Sequence, residues 1–225
     1  MQEDHRLATT TRDDLVLDGG SITDVRARAY VLGVFQGVTP AGPAKAIDGL
    51  VDGVIGDFVA RRMFSANVGE VFMLPAGTMP VMAEMVLLVG LGPLDQFVSK
   101  PDEVQRFVAA NVLRTLIRIG VDEFATVLVG GGSGQPVKQT LENLVRGFVD
   151  GLRDIDRGER TRRAILCENN AGRYAEMREA MFALARTELF DEIDTIIFEQ
   201  PPAAARRVAV TSAPTVSEMR SRIFL

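Results

Sequence analysis

Apolar residues along the chain fall into two kinds of run that take turns. Short, wholly apolar runs such as Met85-Val-Leu-Leu-Val-Gly-Leu-Gly92 and Phe124-Ala-Thr-Val-Leu-Val129 carry no charge on either face and have the length of strands buried on both sides. Each leads into glycines, Gly90 and Gly92 in the first and Gly130-Gly-Gly-Ser-Gly134 after the second. Between such runs, apolar residues recur at three- and four-residue spacing and predict helices. The alternation predicts a three-layer α/β fold, a mostly parallel or mixed sheet flanked by helices, with loops gathered at one edge.

Taken in order, Met1 to Arg12 reads as a polar leader, and Asp14-Leu-Val-Leu-Asp18 as a strand closed by Gly19-Gly20. From Val25 the pattern alternates, Val25, Ala27 and Ala29 against Arg26, Arg28 and Tyr30, before becoming apolar through Val31 to Phe35. That predicts a half-exposed strand and a candidate for a sheet edge. Thr39-Pro-Ala-Gly-Pro43 breaks it and leads into one helix with a stripe of Ile47, Leu50, Val51, Val54, Ile55, Phe58 and Val59. Gly49, Gly53 and Gly56 inside that stripe are read as points of close packing, since each disfavours a helix by about 0.8–1 kcal/mol relative to alanine. Gly69 to Pro75 is a strand, and Pro101 to Ile119 a helix ended by Gly120, with Val104, Phe107, Val108, Val112 and Leu116 on one face. A helix from Val137 to Leu152, a strand from Arg163 to Cys167, a helix carrying Tyr174, Met177, Met181 and Leu184, and a strand from Ile193 to Phe198 complete the pattern, with Val208 to Val210 a further strand candidate. The expected organisation is a leader (1–12), one α/β domain (13–200), and a tail (201–225) packed on that domain.

Composition narrows the function classes. A hydrophobic fraction of 47% with 24% charged residues is that of a globular protein. A net charge of -5 argues against general nucleic-acid or anionic-membrane binding, although Arg206, Arg207, Arg220 and Arg222 could form a local basic patch. The N-terminus has no apolar signal-peptide core and no run is long enough to span a bilayer, so a cytoplasmic location is expected. The single cysteine, Cys167, allows no intrachain disulfide and sits in a buried strand, where a core role is expected. The one histidine, His5, lies in the leader, which leaves no base for a histidine-dependent triad and no HExxH zinc site. No catalytic residue, metal site or cofactor is assigned.

The glycine-rich stretches are the candidate sites. Gly131, Gly132, Ser133 and Gly134 could present backbone N–H groups to an anion or phosphate, and Gly90 and Gly92 end a central strand where open α/β sheets place ligands. The loop lacks the full dinucleotide fingerprint, because Gln135 stands where the third glycine belongs, and it has neither a Walker ending nor the last glycine of a nucleophile elbow around Ser133. A tight turn with Ser133 or Gln135 near the helix cap is the alternative. Glu168-Asn169-Asn170 likewise reads as a polar turn that could point amides at a ligand. Asp48 with Asp52, and Asp191 with Asp194, read as solvated charge.

The strand Val71 to Leu74 after Gly69-Glu70, the Val89-Gly-Leu-Gly92 signature, and Gly120-Val-Asp-Glu-Phe124 after a helix resemble the N-terminal domain of the leucine (cytosol) aminopeptidases over roughly Leu15 to Phe198. The resemblance implies a fold related to macro domains, many of which bind ADP-ribose at the carboxyl edge of the sheet. It implies Gly131 to Gly134 as the counterpart of a phosphate-binding loop, while Glu168-Asn169-Asn170 comes too late in the chain to match the family's Asn-rich loop. The aminopeptidases' two-metal chemistry belongs to a separate C-terminal domain, whose Asn-Thr-Asp-Ala-Glu-Gly-Arg-Leu motif does not occur here. The expectation is a macro-like module standing alone, non-catalytic, that binds a nucleotide or ADP-ribose-type molecule or a partner protein. The alternative is a structural, homo-oligomeric or regulatory protein with no small-molecule ligand. An active metallo-aminopeptidase comes last.

Overall fold

The computed structural model describes residues 12–154, 162–191, 194–201 and 218–220. In chain order its elements are β1 (Arg12–Asp18), β2 (Ala27–Val34), α1 (Gly42–Leu50), α2 (Val54–Ala60), β3 (Val71–Pro75), β4 (Ala83–Gly90), α3 (Leu94–Ser99), α4 (Pro101–Arg118), β5 (Glu123–Thr126), α5 (Val137–Arg153), β6 (Arg162–Cys167), α6 (Ala171–Leu184), β7 (Asp194–Gln200) and β8 (Glu218–Arg220). One sheet holds the strands in the order β3-β4-β2-β5-β6-β1-β7-β8. β3 and β8, at the two edges, pair antiparallel with β4 and β7; the strands between pair in parallel.

The continuous apolar runs are explained by burial on two faces at once. Alternate residues of one strand belong to different cores: Ala29 and Val31 of β2 join Leu87 and Val89 of β4 under α4, α5 and α6. Tyr30, Leu32 and Val34, with Val86 and Leu88, face α1 and α2 instead. Neither side can therefore carry a charge through the middle of the sheet. On the first face, α4 and α5 pack closely because α5 presents glycines to α4. A Cβ at Gly147 would overlap the carbonyl oxygen of Arg106 and lie 2.6 Å from the Cβ of Ala109, and one at Gly151 would lie 2.9 Å from the carbonyl oxygen of Ala110. Arg106 with Asp150, and Arg114 with Asp154, tie the rims of the same helix pair.

Four expectations are corrected. β2 is not an edge strand: β4 and β5 flank it, and Arg28 near its amino end pairs with Asp122 at 3.1 Å and Glu84 at 3.4 Å where the sheet meets solvent. The stripe from Ile47 to Val59 is two helices, broken where Asp52 and Gly53 take φ of 55° and 77°. Asp48 is engaged at that break rather than solvated, its Oδ1 accepting from the N–H groups of Ile55 at 2.8 Å and Gly56 at 3.2 Å, as an N-cap side chain does. Phe107 does not join the core face of α4; it is 52% exposed and covers Gly69. Val208 to Val210, Ile193, Arg206, Arg207 and Arg222 lie outside the described residues.

Candidate functional site

Parallel strands all deliver their carboxyl ends to one edge, and the crossed strand order leaves a crevice there. It has two lobes of about 410 Å³ each. Both are bounded by Gly42 and Pro43 at the start of α1, Val127 and Leu128 after β5, and Gly131 and Gly132, which together form a shared waist. The first lobe is the more polar of the two and is walled by Gly20 and Ser21 after β1 and by Glu168, Asn169 and Arg173 after β6. The second is apolar, with Leu32, Phe35 and Val38 on one side and Leu91, Leu94 and Val98 on the other.

The waist is built from backbone. Gly130 to Ser133 form a tight turn closed by the N–H of Gly131 on Leu128 O at 2.8 Å and that of Ser133 on Gly130 O at 3.0 Å. Gly130 must be glycine: its φ is 76° and a Cβ there would overlap the ring of Phe97, itself held edge-on by Phe35 at 5.0 Å. Gly132 is different, since a Cβ there would meet nothing within 4 Å. Across the waist, α1 begins without a side-chain cap, so the positive end of its dipole opens on the crevice.

The polar lobe is organised by a short relay. Asn170 caps α6 by accepting from the N–H of Arg173 at 3.0 Å. Glu168, mostly buried, accepts from the N–H of Asn170 at 2.9 Å and from Nε of Arg173 at 2.8 Å. This holds the guanidinium over the waist, where its Nη2 would be 3.1 Å from a Cβ at Gly131. An arginine oriented through Nε keeps its planar outer edge for an anion. Cys167 lies at the floor of this lobe, 2% exposed; burial pushes its thiol well above the ordinary range, and the charge of Asp18 pushes the same way. Such a thiol is protonated and a poor nucleophile. Among the described residues no three His, Cys, Asp or Glu side chains are grouped so as to hold a metal ion.

Of the residues named from the sequence, Gly131 and Gly132 line both lobes and Ser133 the apolar one. The hydroxyl of Ser133 donates to Gly130 O at 2.7 Å, and α5 follows Pro136 without a side-chain cap. Gly134, with φ of 87°, returns the chain to α5 and is not in either lining. Gly90 and Gly92 sit beside the crevice rather than on it. A Cβ on Gly90 would overlap the backbone of Asn67, Gly92 has φ of 73° and turns against Val68, and Leu91 between them faces the apolar lobe. Gly20, Gly42, Leu94 and Arg173 were not legible as site residues. Each sits just after a strand or at a helix start, a weak signal until the strand order places those ends together.

A parallel-centred sheet between two helical layers, with a glycine-waisted crevice at its carboxyl edge, defines a macrodomain-like α/β protein. Residues 31–157 match the N-terminal domain of the cytosol aminopeptidase family, and the chain belongs to that family. No curated protein shows significant sequence similarity to it. Among solved structures it is similar to a point mutant of the Oceanobacillus iheyensis macrodomain with ADPR, at 15% identity and a TM-score of 0.62, covering 77% of this chain and 94% of that one. It is also similar to a Trypanosoma brucei macrodomain in complex with ADP-ribose, at 16% identity and a TM-score of 0.60, covering 74% and 68% of the two chains. The same fold is found in the macro domain of ganglioside induced differentiation associated protein 2, at 14% identity and a TM-score of 0.58, covering 73% of this chain and 82% of that one.

Proposed function

We propose that this protein is a non-catalytic binding module whose crevice takes a nucleotide-type ligand with a diphosphate, of which ADP-ribose is the reference compound. The observation that carries the reading is the waist, where the backbone of Gly131 and Gly132 faces the uncapped start of α1 with Arg173 laid across it. Phosphate oxygens need donors close to the backbone and positive charge without bulk; with the N–H of Gly131 already bonded to Leu128 O, Gly132, the helix start and one oriented arginine supply them. The lobes on either side suit the two ends of an elongated molecule, one hydrogen-bonding and one apolar. Two of the macrodomains it is similar to were solved with ADPR or ADP-ribose, which supports the same ligand class here. The crevice's one thiol is held protonated, which supports binding rather than thiol chemistry there.

A thermal-shift screen against ADP-ribose, ADP, other nucleotides and inorganic phosphate tests this. A ligand that prefers the folded state must raise Tm, by an amount set by its concentration relative to Kd. ADP-ribose is expected to give a saturable rise that Gly132→Val removes. A flat response across the panel would sink the nucleotide reading.

One observation favours a second reading, self-association through the outer strand. β3 lies at a sheet edge with Met73 exposed, and Val68 and Phe107 expose apolar surface by the segment leading into it. Light scattering at high protein concentration decides it, because a strict monomer is incompatible with an assembly role.

A further inference from the structure

Between α4 and α5 a buried chain of side-chain amides leads to the root of the glycine turn. Gln105 of α4, 2% exposed, donates from Nε2 to the carbonyl oxygen of Val129 at 3.1 Å. Its Oε1 accepts from Nδ2 of Asn143 on α5 at 2.8 Å. Asn143, 4% exposed, also donates from Nδ2 to Oδ1 of Asp102 at 2.8 Å, and its Oδ1 accepts from Nε2 of Gln139 at 3.3 Å. The direction of the whole chain is set at Asp102. A carboxylate can only accept, so Asn143 turns its nitrogen to Asp102 and, with its second N–H, to Gln105. Gln105 must then turn its oxygen to Asn143 and its nitrogen to Val129.

The consequence reaches the crevice through one peptide plane. In a trans peptide the C=O and the following N–H point in opposite directions. Committing Val129 O to Gln105 on the α4 side therefore turns the N–H of Gly130 away from α4. Gly130 lines the crevice, and among the described residues no acceptor is bonded to its N–H. Phe97 packed against its Cα and a φ of 76° hold it in that pose. Gly131 and Ser133, by contrast, have their N–H groups closed inside the turn.

We infer that Gln105, oriented by Asn143 and Asp102, is a positioning residue that holds the Val129–Gly130 peptide with its N–H toward the crevice as a donor to the phosphate of the ligand. The inference rests on the crevice being an anion site, and names the donor that site uses. Gln105 touches no ligand; it acts through the backbone.

The test is amide-resolved NMR on the full chain and on Gln105→Met, which keeps the length and packing of the side chain and removes the donor. In the wild type without ligand, the Gly130 amide is expected to exchange rapidly with solvent while amides of α4 and α5 are protected. Titration with ADP-ribose, and with inorganic phosphate as a minimal probe, is expected to move the Gly130 resonance saturably. In Gln105→Met the protection of α4 and α5 should persist, the Gly130 response should be lost, and Kd for ADP-ribose should rise about tenfold or more, the effect of losing a hydrogen bond to a charged group. A packing role alone would lower stability and leave Kd where it was. Unchanged Kd in Gln105→Met, or a bound ligand that leaves the Gly130 amide unmoved, overturns the proposal. If the wild type binds neither probe, the nucleotide reading fails by itself. The orientation is then judged on the ligand-free exchange alone: slow exchange at Gly130 overturns it, and fast exchange that Gln105→Met slows sustains it. Should Gln105→Met not fold, Asp102→Ala, at an exposed position, frees Asn143 to turn over and is expected to weaken binding several-fold; unchanged affinity there overturns the proposal too.

Discussion

Glycines two positions apart in this chain do opposite things, and substitution separates them. At Gly130 any side chain takes an unfavourable left-handed backbone and meets Phe97, so Gly130→Ala is expected to destabilise the fold by about 1–2 kcal/mol from the backbone alone, read as a fall in the urea midpoint. At Gly132 nothing stands within 4 Å, so Gly132→Val should leave the urea midpoint nearly where it was while placing a branched side chain in the waist. Asp48→Ala is expected to remove about 1 kcal/mol, because two N–H groups at the start of α2 lose their acceptor. Tyr30 gives a pH signature. Burial pushes its phenol up to about 12 from the ordinary 10, and its hydroxyl donates to Val25 O at 2.6 Å. A group whose folded pKa is raised contributes stability that is fully present below the unfolded value, so this contribution should hold up to pH 10 and be lost between pH 10 and 12. In Tyr30→Phe, equilibrium unfolding at a series of pH values should show lower stability at neutral pH and a shallower fall across that alkaline window; an unchanged slope would show that Tyr30 does not titrate as argued.

Elements show where local pattern suffices and where packing overrides it. The strands around Leu15, Leu87, Phe124 and Leu166, and the helices of Val112, Leu144 and Met177, were legible because burial leaves its period in the sequence. The break between α1 and α2 was not, since Val51 and Val54 keep facing one core across it and continue the stripe. Only the glycine at 53 and the acid at 48 carry that signal, and each has a more ordinary reading. Arg26 and Arg28 suggested an edge strand for a related reason: charge at a strand's amino end looks the same in sequence whether the strand is central or peripheral. Helix α5 puts propensity and packing in direct conflict. Alanine favours a helix over glycine by about 1 kcal/mol, yet a Cβ at 147 has no room against Arg106 and Ala109. Overpacking of this kind typically costs about 1–3 kcal/mol, so Gly147→Ala should lower the urea midpoint. A raised midpoint would mean that α4 and α5 separate easily.

At the scale of the molecule, the crevice is a product of strand order. Gly20, Gly42, Gly131 and Arg173 come from four segments, and they meet because β5 and β6 lie between β2 and β1. A single sequence carries no term for which strand neighbours which, so Gly131 and Gly132 could be named in advance and their partners could not. The same order places Gly90 and Gly92 one strand further out, against the segment before β3. The proposed function requires that the waist receive a diphosphate. Calorimetric titration of the wild type and of Gly132→Val with ADP-ribose, at matched folded concentration, is the decisive experiment. One-to-one binding by the wild type that is lost in Gly132→Val, with the two proteins equally stable, is the expected result. No binding by the wild type, or equal affinity in both proteins, would contradict it.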